Sequence, residues 1–355
     1  VRAKVLLPWG SGARCPCGSD RAYRTCCRGL DGAPRAKAFD LEPKAPKTGY
    51  AHPKCYLGHT NDCATKISRE HVLSQSILRQ FDAVAIRNVA GLEGADGIKD
   101  IVLPTQAATS NILCSRHNSS LSSLDDFAGK FFSSLHKAIP PIRQSNATAA
   151  RAWAYADGPK LEAWAIKILA GTHASGNITV RGQPIETAID KEKAKAALYQ
   201  GEFEPGAGLY IHASNVPNEM DGVQWYLHRT GPLLCGIHIC MQGFSFSVVL
   251  DAANLEPGAL PPNATYRPSL HQLYGVGGDA WIVLGWRHKA EMRLYSRGQI
   301  FTPPTGSESM WPYKPLKGPP ELDIRTKFND QLTPRAERSI APVSMTRVTP
   351  PDPPH

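Results

Sequence analysis

Residues 119–139, "SSLSSLDDFAGKFFSSLHKAI", place Leu121, Leu124, Phe127 or Ala128, Phe131 and Leu135 at helical spacing. One apolar stripe of that period predicts an amphipathic helix. Helical patterns recur in "ATAARAWAYA" (147–156), "PKLEAWAIKILAG" (159–171) and "TAIDKEKAKAALYQ" (187–200). Strand-like runs follow: "GLYIHA", "VQWYLHRT", "LLCGIHICM", "FSFSVVLDA" and "DAWIVLGWRH", with turn residues such as "MQGF" and "GVGGD" between them. Consecutive strands with short connections predict an antiparallel sheet with helices grouped on one side, an α+β fold. Residues 31–52 are rich in Pro, Lys and Ala without apolar period and read as a linker. The expected organisation is therefore a small module over 1–30, that linker, a Cys/His-bearing domain over 53–138, an α+β domain over 145–310 and an extended tail over 311–355. Ten prolines fall in residues 312–355, which suits a segment running along a surface.

No apolar run reaches the roughly 18 residues needed to cross a bilayer, so no membrane association is expected. No secretory signal is visible, and a cytoplasmic location is expected. Formal charge is +9, and residues 1–50 hold ten Lys/Arg against four Asp/Glu. A basic arm beside a compact body suits a polyanionic partner such as DNA or RNA, because each neutralised phosphate releases counterions. Seven of the nine cysteines precede residue 115. Without a secretory signal, clustered cysteines favour metal over disulfides.

The first cluster is "CPCGSDRAYRTCC", with Cys15, Cys17, Cys26 and Cys27. Four thiolates this close, with Gly18 to permit a tight turn, can close a tetrahedron around Zn²⁺. A module this small cannot stabilise itself by burial, so the metal would supply most of its folding free energy. Spacing, the Pro between the first cysteines, the Gly-Ser and the Tyr before the paired cysteines resemble the SEC-C motif over residues 15–27. The resemblance implies a structural zinc and a docking module for a protein partner. Arg14, Arg21, Arg24 and Arg28 surround the site and suit an acidic partner or a phosphate backbone; a merely solvated set of arginines is the alternative.

The second cluster runs in the order Cys55, Cys63, Glu70, His71, Asn111, Cys114, His117 and Asn118. "CYLGHTNDC" supplies two thiols and "NILCSRHN" supplies Cys114-x2-His117, together a Cys3His set for a second structural zinc. His59 stands midway in the opening loop and is an alternative ligand to Cys63. With Glu70-His71 between the ligand pairs, residues 53–132 resemble the zinc-stapled subset of the HNH, or ββα-metal, endonucleases, a treble-clef finger. The resemblance implies that His71 is the general base, that Glu70 and Asn118 hold one Mg²⁺ or Mn²⁺, and that Asn111 bridges backbone to orient His71. Phosphodiester cleavage needs a base to activate water and a cation to stabilise the developing charge. The chain departs from the family in its Cys-x7-Cys spacing, in His117 where a cysteine is usual, and in Glu70 for the commoner Asp or His.

Later in the chain, Cys235, Ile237 and Ile239 share one face of a strand pattern, and Gly236, His238 and Cys240 the other. Buried small residues are the favoured reading there over a further metal site. Trp225, Trp281 and Trp286 with Tyr226 suit core packing before base stacking. The region over 145–310 could recognise substrate, bind a regulatory ligand or form a homo-oligomer, and the residues do not choose. The leading expectation is a metal-dependent HNH-type nuclease, with DNA favoured over RNA, in a phage-defence or mobile-element setting. The rival is a non-catalytic zinc-finger adaptor.

Overall fold

A computed structural model of the chain describes residues 12–17, 20–29, 34–78, 87–88, 109–143, 150–176, 179–180, 183–184, 186–213, 215–216, 223–275, 277–287 and 295–300. Gly18 and the Pro-rich segment over 311–355 lie outside the described residues.

The first elements are β1 (Ile67–His71), the short α1 (Gln75–Leu78), β2 (Arg87–Asn88), β3 (Thr109–Cys114) and the long α2 (Ser115–Arg143). They lead into β4 (Ala150–Asp157), α3 (Gly158–Ser175), β5 (Thr179–Val180), β6 (Gln183–Pro184) and α4 (Lys191–Gln200). The remainder is all strand: β7 (Gly208–His212), β8 (Asn215–Val216), β9 (Val223–Thr230), β10 (Leu233–Met241) and β11 (Phe244–Val249). β12 (Ala264–Tyr266), β13 (Leu270–Gly275), β14 (Gly278–Gly285) and β15 (Tyr295–Ile300) complete the order. The fold is mixed α+β.

The helices start and stop where local chemistry dictates. Asp157 caps α3 by accepting from the Lys160 amide at 3.2 Å, with Pro159 in the first turn and Gly176 left-handed at the far end. Asp190 caps α4 through the Glu192 and Lys193 amides, and Gly201 closes it with φ of 62°. In α2, the stripe of Leu121, Leu124, Ala128, Phe131 and Leu135 is buried as its period demands.

Six strands form one sheet in the order β12-β7-β11-β10-β9-β2, antiparallel except where β2 meets β9. The second large sheet departs from the expected antiparallel arrangement. In its order β4-β14-β13-β15-β8, only β13 and β14 run antiparallel. The segment "ATAARAWAYA", expected as helix, is largely β4, paired in parallel along the whole of β14. Its alanines, at alternate positions over 150–156, suit a strand as well as a helix. The partner strand therefore decides, burying Ala154 and Ala156.

One apolar core runs continuously from Cys55 to Trp286. α3 lies at its centre, packed on β10, β11 and β7 of the six-stranded sheet on one side and on α2, β3 and β4 on another. It is buried nearly all round. Trp225, Trp281 and Trp286 are buried, Trp286 lying against Gly158, where any side chain would collide with its ring. Among the described residues no helix is long and apolar enough to cross a membrane.

Candidate metal centres and cleft

Cys15, Cys17, Cys26 and Cys27 bring their sulfurs within 4.8 Å of one another. The loop is held by the Cys15 amide donating to Arg21 O at 2.7 Å and Tyr23 N to Ala13 O at 2.8 Å, with Tyr23 buried between Cys15 and Cys27. Burial pushes the Cys15 thiol up to about 11, and raises Cys27 further, with the neighbouring thiols adding to it. Four crowded sulfurs in that environment need a cation to ionise together. The arginines Arg14, Arg21, Arg24 and Arg28 are all exposed.

Cys55, Cys63, Cys114 and His117 form the second group, all buried, again with ligand atoms within 4.8 Å. His117 Nδ1 stands 3.4 Å from Cys55 Sγ, 3.7 Å from Cys63 Sγ and 3.2 Å from Cys114 Sγ. The Cys114 amide points at Cys55 Sγ at 3.4 Å, a bond that favours thiolate. Burial lowers His117 to about 4, which leaves the Nδ1 lone pair for a metal, while Nε2 faces the Thr60 hydroxyl at 3.3 Å. Cys63, and not His59, is the residue in this group. His59 instead turns its Nε2 to Glu192 at 3.8 Å.

β1 and β3 form an antiparallel pair, with Ile67 opposite Cys114 and His71 opposite Thr109. α2 begins directly after Cys114, so this group, which could hold a metal ion, sits where hairpin and helix join. Asn118 consequently lies in the first turn of α2, one residue past His117. Beside this junction opens a cleft of about 360 Å³ lined by Arg69, Glu70, His71, Ser74, Gln75, Ser76, Asn118, Asp125 and Asp126. Glu70, His71 and Asn118 thus face one space. Asn111 does not line it, being exposed on β3 near the register shift between Ser68 and Glu70.

Three residues in or behind this cleft were not singled out from the sequence alone. Asp125 follows Asn118 by two helical turns and returns to the same face. The Ser74 hydroxyl donates to Asp125 Oδ1 and accepts from Trp164 Nε1 at 3.0 Å. Lys167, from α3, ion-pairs with both Glu70 Oε1 and Asp125 Oδ2. Burial lifts Glu70 above the usual carboxylate range, with the Lys167 ammonium pulling the other way. Burial opposes the charge of Lys167, but Asp125 and Glu70 outweigh it and raise the lysine. A signal for Lys167 did exist: a lone ammonium within "LEAWAIKILAG" must find an anion if that helix is buried.

Cys235 and Cys240 are buried in or beside β10, Cys235 Sγ facing Asn254 O at 3.2 Å. On the same sheet, Ser247 Oγ is met by His228 Nε2 at 2.9 Å, His212 Nε2 at 3.1 Å and His238 Nδ1 at 3.2 Å. No protein-family model, curated protein or solved structure matches the chain.

Proposed function

We propose that the chain is a metal-dependent nuclease of the HNH type, with DNA favoured over RNA as substrate. The observation that carries this reading is the shared cleft of Glu70, His71 and Asn118 beside a hairpin-and-helix junction gripped by Cys55, Cys63, Cys114 and His117. Zinc is the metal that suits both four-ligand groups, because thiolate and imidazole donors at tetrahedral spacing match its preference. Neither zinc takes part in chemistry; the second holds hairpin and helix so that His71 and Asn118 face each other as in a treble-clef finger.

Glu70 and Asn118 supply oxygen donors for one hard divalent cation, Mg²⁺ or Mn²⁺, which would neutralise charge on the scissile phosphate and the leaving oxygen. His71 accepts the proton of the attacking water. Arg69, on the cleft rim, attracts the phosphate backbone, and the net charge of +9 favours the encounter. The SEC-C-like module over 15–27, with its exposed arginines, docks an acidic protein or a nucleic-acid backbone.

The test compares wild type with His71→Ala on plasmid DNA and structured RNA in Mg²⁺ or Mn²⁺. Cleavage should fall at least a hundredfold while zinc content and far-UV spectrum stay unchanged. Equal cleavage by both proteins, or none by either with any cation, would leave the non-catalytic adaptor as the better description.

A further inference from the structure

The charge of the cleft is not set by the hairpin and α2 alone. Glu70 comes from β1 and Asp125 from α2, yet both carboxylates are bridged by one ammonium from α3. Lys167 is 3% exposed at its side chain and stands behind the two acids, since they line the cleft and it does not. Trp164 sits on the same helix, nearly one turn earlier. Through Ser74 it holds the other oxygen of Asp125. Asp125 is therefore engaged at both oxygens. Glu70 lines the cleft and gives Oε1 to the lysine, so Oε2 is the oxygen of that residue not engaged by Lys167. The third acid of the lining, Asp126, is paired with Lys130 at 2.8 Å.

We propose that Lys167 is a positioning residue through which α3 limits this cleft to one divalent cation, held through Glu70. The inference rests on the nuclease reading and deepens it. Two carboxylates sharing one ammonium carry a single net negative charge, which suits one hard cation completed by Asn118, water and phosphate. Two adjacent carboxylates without that ammonium would carry two charges and attract a second cation. A fixed ammonium also holds Glu70 Oε1 away from the cleft, so a single oxygen of that residue reaches the metal.

The experiment measures Mn²⁺ binding by electron paramagnetic resonance on the full zinc-loaded chain, where thiolate sites do not take manganese. Wild type should bind one Mn²⁺. Lys167→Met should bind two, or one at least tenfold more tightly, and its KM for Mn²⁺ in cleavage should fall. Lys167→Arg should restore the wild-type stoichiometry, which a generic packing defect would not allow. The charge-balanced pair Lys167→Met with Asp125→Asn should return to one Mn²⁺, and it decides the matter if the single variant fails to fold. Unchanged stoichiometry and affinity in a folded Lys167→Met, or two Mn²⁺ in the paired variant, overturns the inference while leaving the nuclease reading intact. A wild-type chain that takes no Mn²⁺ overturns both.

Discussion

Glu162 and Lys167 ride into the interior on one helix, and each is matched there by charge. Glu162 accepts from Arg267 Nε at 2.7 Å and Nη2 at 3.1 Å and from the Leu209 amide at 2.7 Å, while Arg267 lies over the rings of Phe203, Tyr266 and Trp286. Burial raises Glu162, and Arg267 opposes that rise. The same balance of desolvation against contact governs the metal groups, where the four donors are chemically specific. Cys63→Ser should therefore cost the chain one metal ion of two, whereas His59→Ala should keep both, since His59 faces Glu192. Metal analysis of the purified variants checks this, and an equal loss in both would return His59 to the ligand set. Cys15, Cys17, Cys26 and Cys27 were legible because their spacing is local, whereas the second set joins Cys55 and Cys63 to Cys114 and His117 far downstream and was assembled from two separate pairs. The choice between His59 and Cys63 was not legible, because both sit in one short loop and only the loop's path separates them.

At the scale of elements, the six-stranded sheet carries three imidazoles converging on one serine hydroxyl, and burial lowers His212 and His228 to about 4 and His238 to about 3. His228 adds to the lowering of His212, and His212 and His228 to that of His238; no acid stands among the causes. The folded values lie below the ordinary 6.5, so these groups contribute stability that is fully present above pH 6.5. That stability is lost as pH falls through 6.5 towards the folded values, because the unfolded chain takes up protons the folded one refuses. Each imidazole should cost up to about 2 kcal/mol by pH 5. Denaturant melts at pH 7 and pH 5 check the sign, and His238→Gln should reduce the difference without abolishing it, since His212 and His228 remain. A chain equally stable at both values would contradict the burial of these rings. Other elements show where pattern reading stops. The α2 stripe came through because one face of that helix meets the core; β10, buried on both faces, came through as a short apolar run bounded by turn residues. β4 did not, because an alternation of alanines supports either period until β14 lies beside it.

For the whole molecule, the continuity of the core has a thermodynamic consequence. Cys55, Cys63 and Cys114 belong to the same apolar cluster as α3 and both large sheets. Stripping the second metal with a chelator should therefore lower the main unfolding transition, by about 10 °C or more, and not melt a separate finger. Calorimetry of the metal-loaded and stripped chain distinguishes the two, and an unmoved main transition would show the finger to be energetically independent. The cleft depends on the same continuity, since β1, α2 and α3 each contribute charge to it.

What the residues determined unaided were properties carried by neighbours in the chain: the four-cysteine set over 15–27, the two separate donor pairs of the second set, the amphipathic α2, the strand runs of the later half and the basic bias of the first. The parallel pairing of β4 with β14, the place of Asp125 in the cleft and the bridging of Glu70 by Lys167 were settled by packing alone. Periods and ligand spacings are imposed by backbone geometry over a few residues, so they are written locally. A buried ion pair or a parallel partner has no such repeat; it exists only once distant segments have been pressed together and each charge must be answered by whatever the core brings within reach.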